Sequence, residues 1–243
     1  MKRILWCTAA AVVATGCSDN NGPGGNANVQ VSFATQRPTT IQPAVMAPDT
    51  IIQGNDTLVI TKAEIVLREV ELRRASAESC IDGDDACEEF EAGPVLVDLP
   101  TDPGVRQRFT LDVPADTYIE IEFDLHKPDD DDPADQAFIA ANPAFADISV
   151  RVQGTFNGQA FVFTSDVNEE QELALSPPLV VAEDVSTNLT VFVDLRAWFR
   201  TAAGTLIDPA TANKGGPNEG TVTENIRSSF EAFEDADADG DDD

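Results

Sequence analysis

Asp235-Ala236-Asp237-Ala238-Asp239-Gly240 sets aspartates at alternate positions and ends on a glycine, so several carboxylate oxygens fall on one side of a tight turn. Hard oxygen donors of this kind suit calcium. Asp241 adds a backbone carbonyl, but the sequence reaches Asp243 without a closing bidentate glutamate, and the expected affinity is weak. A second acidic run, Asp129 to Asp132, follows Pro128, and its mutual repulsion must be relieved by solvent or by a cation. No cofactor is required by either pattern.

The Asp235 run resembles the first half of an EF-hand-like or thrombospondin-type calcium loop. Cys80 and Cys87 bracket Ile-Asp-Gly-Asp-Asp-Ala, a short polar loop whose natural closure is a disulfide in an oxidising compartment. Two cysteines with no histidine beside them do not complete a tetrahedral zinc site. His126 is the lone histidine, so any Ser-His-Asp or Cys-His arrangement rests on it alone. It closes the polar face of a strand beside Lys127, where solvent is the expected partner. No G-x-S-x-G elbow, H-E-x-x-H pair or lysine-ended phosphate loop is present. Carboxylate pairs for glycoside hydrolysis discriminate nothing among 44 acidic residues. The expectation is therefore a noncatalytic protein. Trp198 can stack on a sugar or pack in a core, and both readings stay open.

The opening residues carry Lys2 and Arg3, an apolar run from Ile4 to Ala14 and small residues up to Cys17. That run is well short of the ~20 residues needed to cross a bilayer and reads as a secretory signal. Ala14-Thr15-Gly16-Cys17 resembles the lipobox of bacterial lipoproteins, which implies cleavage before Cys17 and lipidation of its thiol. Ser18 in the next position favours, by the same resemblance, the outer membrane of a two-membrane envelope. Asn20 to Asn26, almost wholly Asn and Gly, reads as a flexible tether.

Fifteen Lys and Arg against 44 Asp and Glu leave a formal charge of -29, and the leader would remove two more cations. Such a chain repels nucleic acid and anionic headgroups, which excludes a phosphate-steered partner. The membrane must then be held through the lipid anchor alone. Cations and basic partners remain electrostatically favoured.

Period-two alternation dominates the remainder and predicts half-buried strands. Val29, Val31 and Phe33 alternate with polar residues, as do Phe109, Leu111 and Val113, and Leu189, Val191, Val193 and Leu195. Ile119, Ile121, Phe123 and Leu125 are expected inside, with Tyr118, Glu120, Glu122, Asp124 and His126 on a wet face. Asn157-Gly158 between two alternating runs predicts a type I′ hairpin. Leu58 to Arg74 fits a helix stripe as well, but its β-branched content favours a strand. Asp132 caps a short helix opening at Pro133, and Thr223 caps another in which Val222, Ile226, Phe230 and Phe233 share a stripe.

These elements predict a mostly β protein, an antiparallel β-sandwich of about 7 to 9 strands with a short C-terminal helix and flexible termini. The expected division is a signal over 1–16, a lipidated tether over 17–27, the sandwich over 28–203, and a linker, short helix and acidic tail over 204–243. Ala63 to Leu72, Val95 to Leu99 and Phe109 to Leu125, with Pro114-Ala115-Asp116-Thr117-Tyr118 before the amphipathic strand, resemble an uncharacterised family of bacterial lipoprotein β-sandwich domains. That family is immunoglobulin-like or transthyretin-like in architecture, and Asp116 stands where its turn usually has Gly. The resemblance implies no catalytic residues. The resulting expectation is a lipid-anchored, noncatalytic envelope protein that binds a protein or carbohydrate partner or serves as a structural module. The alternative is a calcium-dependent adhesion or assembly module.

Overall fold

The computed structural model describes residues 26–36, 49–76, 87–90 and 93–240. The strands are β1 (Asn26–Ala34), β2 (Asp49–Gln53), β3 (Asp56–Arg74), β4 (Cys87–Phe90), β5 (Val95–Leu99), β6 (Arg106–Pro114), β7 (Thr117–Leu125), β8 (Val150–Phe156), β9 (Gln159–Ser165), β10 (Glu169–Val180), β11 (Ser186–Val193) and β12 (Phe230–Glu234). Among the described residues three α-helices accompany them, α1 (Pro133–Ala141), α2 (Leu195–Trp198) and α3 (Glu219–Arg227). One sheet runs β12-β11-β1-β6; the other runs β10-β7-β3-β8-β9, with β2, β4 and β5 also on β3. Apolar residues of both sheets meet in one core, which makes the fold the expected sandwich. Among the described residues the strands pair antiparallel except β1 with β11, which run in the same direction from Asn28 opposite Ser186.

The ambiguous Leu58 to Arg74 stretch is a strand, and it is the spine of the larger sheet. β8 occupies one edge of its first half, from Leu58 to Ile65, and β7 the same edge from Leu67 onward. The two diverge at Val66, whose N–H donates to Ser149 O at 2.8 Å while its carbonyl accepts from His126 N at 3.0 Å. Outside the fork α1 lays Phe138 beside Val66 and Phe145. Asp132 caps that helix as expected, accepting from Ala134 N at 2.7 Å.

Asn157 and Gly158 both have positive φ, 51° and 77°, as the predicted hairpin turn requires. Asn157 also binds the start of β3, accepting from Thr57 N at 2.9 Å and donating to Asp56 at 2.8 Å. Gly154 lies at a bulge, where the β3–β8 register shifts between Ile60 and Lys62. A Cβ there would stand 1.9 Å from the Val59 carbonyl oxygen, so only glycine fits.

On β7 the expected faces are reversed at its first residues. Tyr118 is fully buried and donates to Pro114 O at 2.9 Å, while Ile119 is only partly buried. The register shifts between Arg73 and Arg74 on one neighbour and between Ala174 and Leu179 on the other. Such bulges reverse the parity of the residues beyond them, and Tyr118 turns inward.

The C-terminal region departs further. The last helix begins at Glu219 after Asn218, not at Thr223, and ends at Arg227. Ser228 and Ser229 turn the chain, and Phe230 and Phe233 belong to β12 alongside β11. The expected linker is packed: Leu206, Ile207 and Ala212 are buried. Asn213 docks on β9 like a strand residue, accepting from Thr164 N at 2.9 Å and donating to Val162 O at 3.3 Å. Side-chain amides serve here because they carry the same donor and acceptor as a peptide unit.

Candidate functional site

The tail aspartates do converge. The Asp235 side chain is fully buried and acts as the post around which the loop winds. One of its oxygens accepts from Asp239 N at 2.9 Å; the other accepts from Gly240 N at 3.0 Å and from the Thr190 hydroxyl at 2.7 Å. Positive φ at Ala238 and Gly240, 57° and 95°, lets the chain fold back over it. Asp235, Asp237 and Asp239 each bring one carboxylate oxygen within 4.8 Å of the others. Asp237 and Asp239 are exposed. That donor set is all oxygen and suits a hard divalent cation. Asp241 lies outside the described residues, as do Cys17 and Cys80, while Cys87 opens β4 opposite Arg73.

The second acidic run is committed to local structure. Asp129 accepts from Asp131 N at 3.0 Å, and Asp132 caps α1 while lying 3.5 Å from Arg68.

His126 is not solvated. It is buried, with Nε2 at 2.8 and 3.0 Å from the two oxygens of Asp135, and Asp135 also accepts from Asp129 N at 2.9 Å. The chain leaves the ladder after Leu125, and this pair ties its end to α1. Trp198 belongs to the core reading: it is fully buried, and its indole N–H donates to Ser229 Oγ at 2.8 Å.

A second charged constellation was invisible in the linear chain. Strand registers align Glu71 of β3, Glu122 of β7 and Glu172 of β10 in one row across the outer face of the larger sheet. Arg73 sits one row away, binding Glu120 at 2.6 Å and lying 3.5 Å from Glu122. Glu120 and Glu122 are only 13% and 12% exposed, so the expected wet face is largely covered there. Burial pushes the Glu122 carboxyl up to about 8, helped by its hydrogen bond to Glu120 and by the charges of Glu120, Glu170 and Glu172. The signal available in sequence was Glu at alternate positions in three separate strands; the missing datum was their register.

Fold and geometry thus define the class as a mostly β, two-sheet protein with an acidic exterior. No family model matches the chain, and no curated protein or solved structure does.

Proposed function

We propose that the chain is a lipid-anchored, noncatalytic protein of the bacterial envelope, held in the outer membrane through Cys17 and serving there as a binding or structural module. The observation that carries this reading is Ala14-Thr15-Gly16-Cys17 at the end of a short apolar leader, close before the first strand at Asn26. Acyl chains must supply the membrane affinity, since a surface this acidic gains nothing from anionic headgroups. Replacement of Cys17 by Ala abolishes fatty-acid labelling and releases the protein from membranes. Continued extraction only by detergent overturns the anchor, and fractionation with the inner membrane overturns the address.

A calcium-dependent adhesion or assembly module is the second reading. It is favoured by the gathering of Asp235, Asp237 and Asp239 at one turn. Chelator-sensitive melting supports it, and identical melting with and without calcium removes it.

A further inference from the structure

Among the described residues the large apolar side chains that stand out in solvent are Ile52, Val162, Val180 and Val185. They fall into two pairs. Ile52 lies opposite Thr57 at the start of β3, and Val162 lies on the same half of the sheet, across β8 from Lys62 through Gln153. Val180, 63% exposed, and Val185, 53% exposed, flank the connection from β10 to β11 at the other end of β3. Val180 stands opposite Thr117, whose carbonyl accepts from Ala75 N just past Arg74. That end is also where the chain enters the fold. β1 begins at Asn26 opposite Pro114, and its Asn28 faces Ser186, the neighbour of Val185. Val181 N donates to Asp116 O at 2.9 Å, which ties the turn between β6 and β7 to the same connection.

We propose that this end of the sandwich rests on the bilayer, with Val180 and Val185 entering the interface of zwitterionic lipid headgroups. This deepens the lipid-anchored reading above by naming the face turned to the membrane, and it rests on that reading. Residues 17–25, which join Cys17 to β1, can reach at most about 30 Å. β3 has 19 residues and at the usual strand rise extends about 60 Å, so the tether favours the valines beside the start of β1 over Ile52 at the far end. Two valines bind a bilayer too weakly to recruit the chain from solution. A short tether raises the local concentration of the surface to about the millimolar range, and weak apolar contact then decides which face turns to the lipid.

Charge selects the headgroup. Glu183 and Asp184 lie between the valines, and both are exposed. Asp116 is exposed on the adjoining turn, with Arg74 Nε 3.9 Å away. The exposed Asp237 and Asp239 belong to the same end, because Asp235 N donates to the carbonyl of Asn188, two residues beyond Ser186. Anionic headgroups are repelled by this ring of carboxylates. Zwitterionic headgroups carry no net charge, and their ammonium groups give the carboxylates a partner while the valines reach past them. The end that carries Ile52, Val162 and the Asn157-Gly158 turn then faces away from the lipid.

The test is hydrogen exchange of the processed chain on phosphatidylcholine vesicles, to which it is held by two routes. One is its own acylated Cys17; the other is a run of histidines placed ahead of Ser18 instead of the acyl group, on vesicles doped with nickel-chelating lipid. By either route, amides in 115–118 and 180–186 should exchange at least about threefold more slowly than in the Cys17→Ala chain free in solution, while those in 157–160 stay within about 1.5-fold. Val180→Asp with Val185→Asp, both at exposed positions, should abolish the protection, and Ile52→Asp with Val162→Asp should leave it. Replacing about a third of the lipid by phosphatidylglycerol should reduce it about threefold or more. Absence of protection on the histidine-held vesicles, protection that survives the paired aspartates at 180 and 185, or protection indifferent to phosphatidylglycerol overturns the proposal. Protection that grows with the density of chains on the vesicle marks a second copy as the occupant and overturns it too. If Cys17 carries no acyl group while the histidine-held chain makes the contact, the anchor fails and the surface stands; an acylated chain without the contact keeps the anchor and removes the surface.

Discussion

Glu122 and Glu172 are direct cross-strand partners on β7 and β10, with Glu71 facing Glu122 from the opposite side. Like charges in this arrangement oppose pairing. The sheet tolerates them because Glu122, buried and then pressed by Glu120, Glu170 and Glu172, holds its proton up to about pH 8. Arg73 balances part of the remaining charge.

A pH dependence follows with a definite sign. The folded chain retains a proton on Glu122 that the unfolded chain releases above about 4.5, so this group's contribution is most favourable below 4.5 and is lost as pH rises to about 8. Glu122→Gln should flatten that part of the stability profile and stabilise the protein above pH 8 by about 1 kcal/mol. Urea melts of both proteins across the range check it; parallel profiles would show that Glu122 ionises normally.

Ile121 and Glu120 alternate on β7 and should separate sharply. Ile121→Asp buries a carboxylate in the core and should cost more than about 4 kcal/mol. Glu120→Lys places an ammonium beside Arg73, costing about 1–2 kcal/mol where a solvated face would have been silent. Denaturant midpoints decide the ranking, and an undisturbed Glu120→Lys would mean that the Arg73 pair does not hold in solution.

Gly154→Ala forces a Cβ against the Val59 carbonyl and should cost about 2–4 kcal/mol by shifting the β3–β8 bulge. Gly158→Ala, in open space but at positive φ, should cost about 1 kcal/mol. Thermal melts that reverse this order would place the bulge elsewhere.

Calcium at the tail should bind in the range of about 0.1–1 mM or more weakly. Asp237→Ala with Asp239→Ala should abolish the response while leaving the buried Asp235 post in place. Calorimetric titration reads the outcome: an unchanged response moves the site to another acidic run, of which Asp129 to Asp132 is the first to test.

Cys80 and Cys87 should be joined in protein taken from the envelope. The loop they close is short, and the bridge should stabilise by about 2–3 kcal/mol. Mass spectrometry that finds two free thiols removes the bridge from the account.

Local pattern was sufficient wherever the determining forces were local. Alternation marked β1, β6 and β11 because one sheet face is buried, and Asn157-Gly158 specified its turn through backbone sterics that need no partner. Asp132-Pro133 likewise announced α1 through a cap made within three residues. Tertiary structure alone decided the rest. Tyr118 faces inward because β7 carries an extra residue at Ile119, opposite the single step from Arg73 to Arg74 on β3, and Phe230 and Phe233 join a sheet because β11 offers them an edge that no helix stripe foresees. The row Glu71, Glu122 and Glu172 exists only in the register of three strands far apart in the chain. Alternation says which face a residue takes within its own strand; which residues stand opposite one another is set by long-range packing, and the charged chemistry of this protein lies in those pairings.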